Sequence, residues 1–383
     1  GVWQVASELV KAAQGGRSSG GGLATAALHP MSFGLWLTMG WVGLVLPVTA
    51  QQAPTVQPGR IIAAPNAPKQ QRPTVVTSAN GTPQVNITTP SAAGVSRNTY
   101  SQFDVGSDGA ILNNSRGNVQ TQLGGWVPGN PWLAKGTARV ILNEVNSADP
   151  SQLRGYVEVA GDRAQVVIAN PAGISVDGGG FLNASRVTLS TGTAIVNAGV
   201  LDGYRVDGGA IRISGAGLDA TDSDYTDIIS RSLEVNAGIW AQQLQASLGS
   251  NVVTADHGQV RPQAASGNTP AFALDVGALG GMYANKIWLV GNEHGMGMRN
   301  AGSIGAQAGE LVVTAQGRLE NSGALQSQQD TKLSATGGVA NSGTVSAARE
   351  VLISTAADLD NSGGTLNARR VEVNADSLRN DGG

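Results

Sequence analysis

Along the last part of the chain, aliphatic residues recur two places ahead of an asparagine: Leu319 before Asn321, Val339 before Asn341, Leu359 before Asn361 and Leu378 before Asn380. Asn300 opens the series without that partner, and all five asparagines are followed by Ala-Gly, Ser-Gly or Asp-Gly at a spacing of about 20 residues. A second aliphatic ladder follows the first four turns at Ile304, Leu325, Val345 and Leu366. Between turns lies an alternating run, Val351 and Ile353 in one copy and Val371 and Val373 in the next, matched more loosely by Leu311, Val313 and Leu333. Period-two alternation over runs this short, rich in β-branched residues, predicts strands and not helices. Each unit therefore reads as about three short strands joined by turns at which Asn and Gly tolerate positive φ.

A fixed period of this length marks a solenoid. One coil alone buries too few aliphatic side chains to offset the entropy of ordering its backbone. Stacking changes that balance, because each interior coil pairs its backbone with the coils above and below at about 4.8 Å. The expected fold is all-β, a parallel β-helix whose equivalent asparagines Asn300, Asn321, Asn341, Asn361 and Asn380 stack as a ladder.

Composition supports thin strands and many turns: 54 glycines in 383 residues, 4% aromatic and 13% charged. The chain has no cysteine, which excludes disulfides and thiolate metal sites. Its formal charge of −3 argues against nucleic acid as a partner.

Met31 to Leu46 form an apolar stretch, and Val48-Thr49-Ala50 supplies small residues where a signal peptidase reads, placing cleavage between Ala50 and Gln51. The stretch is shorter than the ~20 residues of a membrane span. Residues 1–50 are read as a signal region, incomplete at its start because Gly1 is not a methionine. Residues 51–90 hold seven of the 15 prolines and are expected to be a partly extended linker. No proline occurs after Pro270, as continuous stacked strands demand. The expected boundaries are a change of composition near Ser91 and the onset of regular repeats at 300–383.

The segment 91–299 is dense in strand signals, among them Ala138 to Leu142, Gly155 to Val159 and Ala164 to Ile168, punctuated by Gly129-Asn130-Pro131 and Asn170-Pro171-Ala172-Gly173-Ile174. By pattern alone it is an irregular all-β capping region of the solenoid. The ordered blocks Ile141 to Val145, Asp149 to Leu153, Glu158 to Gly161 and Ala169 to Phe181 resemble the two-partner secretion domain of filamentous haemagglutinin-like exoproteins, which also begins the contact-dependent growth inhibition toxins. Gly1 to Glu8 similarly resembles the extended signal region of such proteins.

The resemblance implies a right-handed β-helix that enters the periplasm through the inner-membrane translocon, engages a dedicated outer-membrane barrel transporter through its periplasmic domains, crosses unfolded and folds outside. The product would be an adhesin or a toxin-delivery filament at the cell surface, acting on a host or neighbouring cell. Two short motifs are central in that family, Asn-Pro-Asn-Leu and Asn-Pro-Asn-Gly-Ile. Here they read Asn130-Pro131-Trp132-Leu133 and Asn170-Pro171-Ala172-Gly173-Ile174, so each lacks its second asparagine. Hydrogen bonds of those missing side chains are not carried over to Trp132 or Ala172. What remains is turn chemistry: Asn before Pro favours an extended entry, Pro fixes φ, and Gly173 permits a left-handed exit. These residues are expected either to contact the transporter or to shape the fold.

Other constellations point nowhere. His257 and His294 read as surface-loop residues, and Asp219, Asp222, Asp224 and Asp227 as a solvated loop without the turn glycine and closing glutamate of a calcium loop. Asp177-Gly178-Gly179-Gly180 lacks the spacing of a phosphate cradle and reads as a tight corner. The competing class is a β-helical polysaccharide-processing enzyme, for which the nearest feature is the column Glu310, Asp330 and Glu350, ending in Arg370. A solvated edge accounts for that column, so the reading assigns no catalytic residue, metal or cofactor. N-terminal sequencing of exported material is expected to find Gln51 first; an intact Met31 to Ala50 segment would overturn the cleavage assignment.

Overall fold

The computed structural model describes residues 59–265 and 267–382. Ala50 and Gln51, with the whole signal region, lie outside the described residues. Among those described there is no α-helix; strands wind as a parallel β-helix.

One lateral face is a twelve-stranded sheet with one strand per coil, running from Ile61–Ala63 through Val95–Phe103 and Val140–Val145 to Glu350–Thr355 and Arg370–Asn374. The other two strands of each coil belong to a second, 20-stranded sheet. In the repeats its two ladders are Gly297–Asn300, Leu319–Asn321, Val339–Asn341, Asp358–Asp360 and Ser377–Arg379, and Ser303–Ala306, Ala324–Ser327, Thr344–Ala347 and Thr365–Asn367. Gly297–Asn300 pairs directly with Phe272–Val276, so the solenoid runs across residue 300 without a break.

Alternation decides which side chains enter the core. Leu289, Val313, Leu333, Ile353 and Val373 share one register position on successive coils, and the first four are buried. Val345 and Leu359 fill the other two sides of the same narrow interior. At the turns, Asn300 Nδ2 donates to Asn321 Oδ1 at 2.8 Å, Asn321 to Asn341 at 2.7 Å, Asn341 to Asn361 at 2.7 Å and Asn361 to Asn380 at 2.6 Å. Each link joins two coils through side chains at a corner, beside backbone bonds between the same coils such as that from the Ser322 N–H to the Asn300 carbonyl at 2.8 Å.

The stretch from residue 59 to Pro90, expected as a linker, is paired structure. Ile61–Ala63 lies antiparallel on Val95–Phe103. Thr74–Thr77 and Pro83–Asn86 form an antiparallel hairpin, the second strand of which lies parallel on Ala110–Asn114. Proline density misleads here, since Pro65, Pro68, Pro73 and Pro90 fall between strands and Pro83 opens one, positions that need no ladder donor. Reversal of strand direction covers the first coil's open edge, which would otherwise offer unpaired backbone groups to another chain.

A third sheet stands outside the solenoid. Thr193–Asn197, Val200–Val206, Asn251–Thr254 and Val260–Pro262 form four antiparallel strands. Leu201, Tyr204, Val206 and Val253 from it make a separate apolar cluster with Val95, Leu142, Val167, Ala169 and Ile229, which point outward from the twelve-stranded sheet. That cover is why strands such as Ala164–Ala169 are apolar on both faces.

Ile353 is 2% exposed between Leu333 and Val373. Ile353→Asp places an unpaired carboxylate in this interior and should destabilise the adjoining coils by several kcal/mol. Thermal unfolding of the purified chain checks it, and an unchanged midpoint would overturn the packing described.

Candidate functional site

Both Asn-Pro turns are built by the same device. Asn130 enters extended (φ −74°, ψ 116°), Pro131 begins a 3₁₀ turn, Pro131–Leu133, and Asn130 Oδ1 accepts from the Trp132 main-chain N–H at 3.0 Å. Its Nδ2 donates to the carbonyls of Ile87 and Asn113, both at 2.9 Å, tying the capping hairpin to the first coil. Asn170 repeats the pattern: Oδ1 accepts from the Ala172 N–H at 2.9 Å, while Nδ2 donates to the Asp149 carbonyl at 2.9 Å and to Ser151 Oγ at 3.0 Å. Gly173 takes φ 122° and returns its N–H to the Asn170 carbonyl at 3.0 Å.

Asn130, Asn170, Leu133 and Ile174 are all buried. The two turns sit on different coils, Asn130 beside Ala110–Asn114 and Asn170 beside Ser151–Leu153. The position after each proline contributes its main-chain N–H, which Trp or Ala supplies as well as Asn does. Trp132 adds one bond of its own, from indole Nε1 to Thr74 Oγ1 at 3.2 Å, and leaves half of its surface exposed.

His257 is not a surface-loop residue. It occupies the turn between Asn251–Thr254 and Val260–Pro262 at φ 59° and is 3% exposed. Nδ1–H donates to Asp227 Oδ1 at 2.9 Å, and Nε2 lies 2.7 Å from Ser247 Oγ. Asp227 also receives Arg186 Nε at 2.5 Å and Nη2 at 3.1 Å, and Thr188 Oγ1 at 3.3 Å. Asp227 is thus no part of a solvated acidic loop but a buried strand residue of Tyr225–Ser230. Asp219 stands on the strand Ala210–Ala220, Asp222 accepts from the Asn183 N–H, and Asp224 pairs with Arg163, so the four carboxylates do not converge.

Ser247, His257 and Asp227 have the order of a nucleophile, base and acid. Each is no more than 3% exposed, however, so a substrate carbonyl reaches Ser247 Oγ only if the extra-helical turn lifts away. The arrangement is a clasp that fixes that turn to the solenoid wall. A second buried tie lies nearby, Arg231 Nη2 to Glu293 Oε1 at 2.8 Å, with the Ser250 N–H on the other carboxylate oxygen at 3.0 Å.

The acidic column of the repeats is neutralised throughout. Glu310 lies between Lys332 at 2.8 Å and Lys286 at 3.1 Å, Asp330 is 3.5 Å from Arg349, and Glu350 is 2.9 Å from Arg370. The Lys332 hydrogen bond is the main cause that holds the Glu310 carboxyl below its ordinary range. Glycoside hydrolysis by a carboxyl pair needs one carboxyl kept protonated across from an ionised one, the opposite of this pairing with cations.

The TPS (two-partner secretion) secretion domain model matches residues 59–321, a span that includes the antiparallel cap, both Asn-Pro turns and the extra-helical sheet. The chain belongs to the TPS secretion domain family. The chain is 57% identical over 304 residues to a protein named Toxin CdiA from Yersinia pestis, covering 79% of the chain and 9% of that relative. It is 52% identical over 253 residues to tRNA nuclease CdiA-2 from Burkholderia pseudomallei (strain 1026b), covering 66% of the chain and 8% of the relative. The solved filamentous hemagglutinin secretion domain superposes with a TM-score of 0.65 at 29% identity, covering 82% of this chain and 99% of that one. The chain spans less than a tenth of the length of these curated relatives.

Sequence reasoning missed the clasp because Arg186, Asp227, Ser247 and His257 follow no local spacing. The one available signal was the polar pair Asp227 and Ser247 in otherwise strand-like runs. Burial pushes the Asp227 carboxyl up, but hydrogen bonds from His257 and Arg186, with their charges, outweigh it and hold it below the usual range. A carboxyl depressed on folding stabilises fully above its unfolded value, about 3.9 for Asp, and the contribution is lost as pH falls through the folded value. Asp227→Asn should therefore cost about 3–5 kcal/mol at pH 7. The gap between wild-type and variant melting temperatures should close on acidification below about pH 4; a gap constant down to pH 2 would overturn the assignment.

Proposed function

We propose that this chain is the secretion-targeting and stalk-forming N-terminal part of a large exported protein, recognised by a dedicated outer-membrane barrel transporter. The observation that carries the reading is the match of the secretion domain model across residues 59–321, from the cap to the first repeats. The leader would hand the chain to the inner-membrane translocon, and a transient periplasmic stage would precede crossing in an unfolded state. The β-helix would then form outside, at the cell surface or in the medium.

The architecture suits such a route. Successive coils contact their immediate neighbours, so each one can add to the stack as it emerges. Every added coil buries apolar side chains and opposes backsliding without a nucleotide. The matched region is a secretion domain and not a catalytic one, and any toxin activity would reside outside this chain. Identity of 57% to a protein named a toxin, against 29% to the hemagglutinin secretion domain, favours a toxin-delivery filament acting on neighbouring cells over an adhesin.

In this reading the Asn-Pro turns act through the fold. Their side-chain polar atoms are already engaged within the chain, so a transporter would meet the loops they shape, such as that bearing the exposed Trp132 ring. Asn170→Ala strips the partners from the Asp149 carbonyl and the Ala172 N–H, at roughly 1–3 kcal/mol for each buried group left unpaired. Pulse-chase of periplasm and medium should then show a cleaved, retained chain, with export sharply reduced. Deleting Asn321 to Arg379 should have much less effect, because whole coils leave and the stack still closes. Normal export of the Asn170 variant with retention of the deletion would move recognition into the repeats.

A further inference from the structure

One outward register position of the 20-stranded sheet carries a row unlike the rest of the surface. On six successive coils it is occupied by Tyr156, Gly180, Asp219, Trp240, Tyr283 and Gly305. Aromatics make up only 4% of the chain, yet three of them share this column with a carboxylate.

Each ring lies back over a glycine. A Cβ at Gly180 would come 2.3 Å from the Tyr156 ring, one at Gly238 2.4 Å from the Trp240 ring, and one at Gly281 2.7 Å from the Tyr283 hydroxyl and 2.8 Å from its ring. Any side chain at those glycines would lift the rings off the sheet. On the coil beyond, Gly305 has no side chain to cover Tyr283. The Trp240 and Tyr283 rings are within 22° of parallel, with centroids 6.4 Å apart, and Trp240 keeps 41% of its surface exposed. They form a platform two coils long that the core does not need.

A polar edge accompanies it. Tyr156 Oη donates to Asp219 Oδ2 at 2.8 Å, and Thr221 Oγ1 donates to Asp219 Oδ1 at 2.7 Å. Burial raises the Asp219 carboxyl, but the Thr221 hydroxyl, the Thr221 main-chain N–H at 3.0 Å and the Tyr156 hydroxyl together bring it below the ordinary range, so it stays ionised at neutral pH. At the far end of the strands, Asn285 Nδ2 donates to Gln242 Oε1 at 2.8 Å in an exposed pair.

The geometry points to a binding site for a neutral glycan laid along the solenoid axis, with its sugar rings on Trp240 and Tyr283 and its hydroxyls on Asp219. A pyranose has an apolar face of C–H groups that covers an aromatic ring and a rim of hydroxyls that needs acceptors, which is the combination this column offers. Successive coils repeat every ~4.8 Å, comparable to the length of one sugar unit, so three consecutive sugars of an extended chain meet Asp219, Trp240 and Tyr283 in turn. Charge decides the class: the ionised Asp219 complements hydroxyl donors and repels a sulfated or uronic-acid chain. This inference rests on the folded surface alone and is independent of the export route.

Calorimetric titration of the purified secreted protein with cellohexaose and chitohexaose, and with a heparin hexasaccharide as the anionic control, tests it. Saturable binding of at least one neutral hexasaccharide is expected, weakened at least tenfold in Trp240→Ala and in Tyr283→Ala, reduced in Asp219→Asn, and restored towards wild type in Trp240→Phe. Circular dichroism melts of the same variants identify any that fail to fold, and Trp240→Phe, which keeps a ring over Gly238, preserves the comparison if Trp240→Ala is among them. Binding of heparin alone, binding untouched by these substitutions, no binding of either neutral probe, or sedimentation showing that Trp240 instead joins two copies of the chain would each overturn the assignment.

Discussion

Everything in this structure depends on backbone pairing between one coil and the next. A strand of three to six residues has neither the length nor the apolar area to persist alone, and it does so here because it is the middle rung of a ladder. The interior is accordingly thin and filled mostly by small and branched aliphatic side chains, with the Tyr100 and Phe103 rings, edge to face at 4.9 Å, near the capped end and Phe181 further along. A ladder must also end. The antiparallel strands before Val95 provide that end, since reversing chain direction stops the parallel pairing from continuing past the first coil.

Asparagine reinforces the ladder at its corners. Where the chain bends, backbone bonds between coils continue, as from the Ser322 N–H to the Asn300 carbonyl, and a short side chain with both donor and acceptor adds a second set beside them. In the repeats the amides bond to one another across coils, while in Asn130 and Asn170 they bond to backbone instead and hold a proline turn. The same chemistry explains why the motifs tolerate Trp132 and Ala172. The turn requires a main-chain N–H at that position and is indifferent to the side chain.

Buried charge is concentrated where the solenoid meets its extra-helical sheet. Asp227 with Arg186 and His257, and Arg231 with Glu293, join segments 30 to 62 residues apart. Such pairs add little net stability relative to an apolar contact, yet a wrong docking of the outer sheet would leave charges unpaired out of water, which is far more costly. They therefore specify position. In a chain read as passing through a membrane pore unfolded, those groups remain hydrated until both partners have emerged.

The repeats were legible from the residues because their information is local: Val351, Ile353, Leu359 and Asn361 announce strand, side and turn within a dozen positions, and the next copy says the same. The first strands were misread for a physical reason, as proline counts against a strand only where its missing N–H would have paired, and sequence does not show that at Pro83 or Pro73. The Asn-Pro motifs were visible as turns, but their burial and their ties to Ile87, Asn113 and Ser151 were not. The extra-helical sheet and the location of His257 were illegible, because outward apolar residues such as Val167 look like core until the four covering strands are seen on them. Residues by themselves determined the period, the coil and its turn chemistry, since those follow from neighbours in the chain. Only the tertiary structure decided which outward faces are covered, which histidine is buried and which aromatics share a column, because those depend on how many residues each coil spends before returning to the same face.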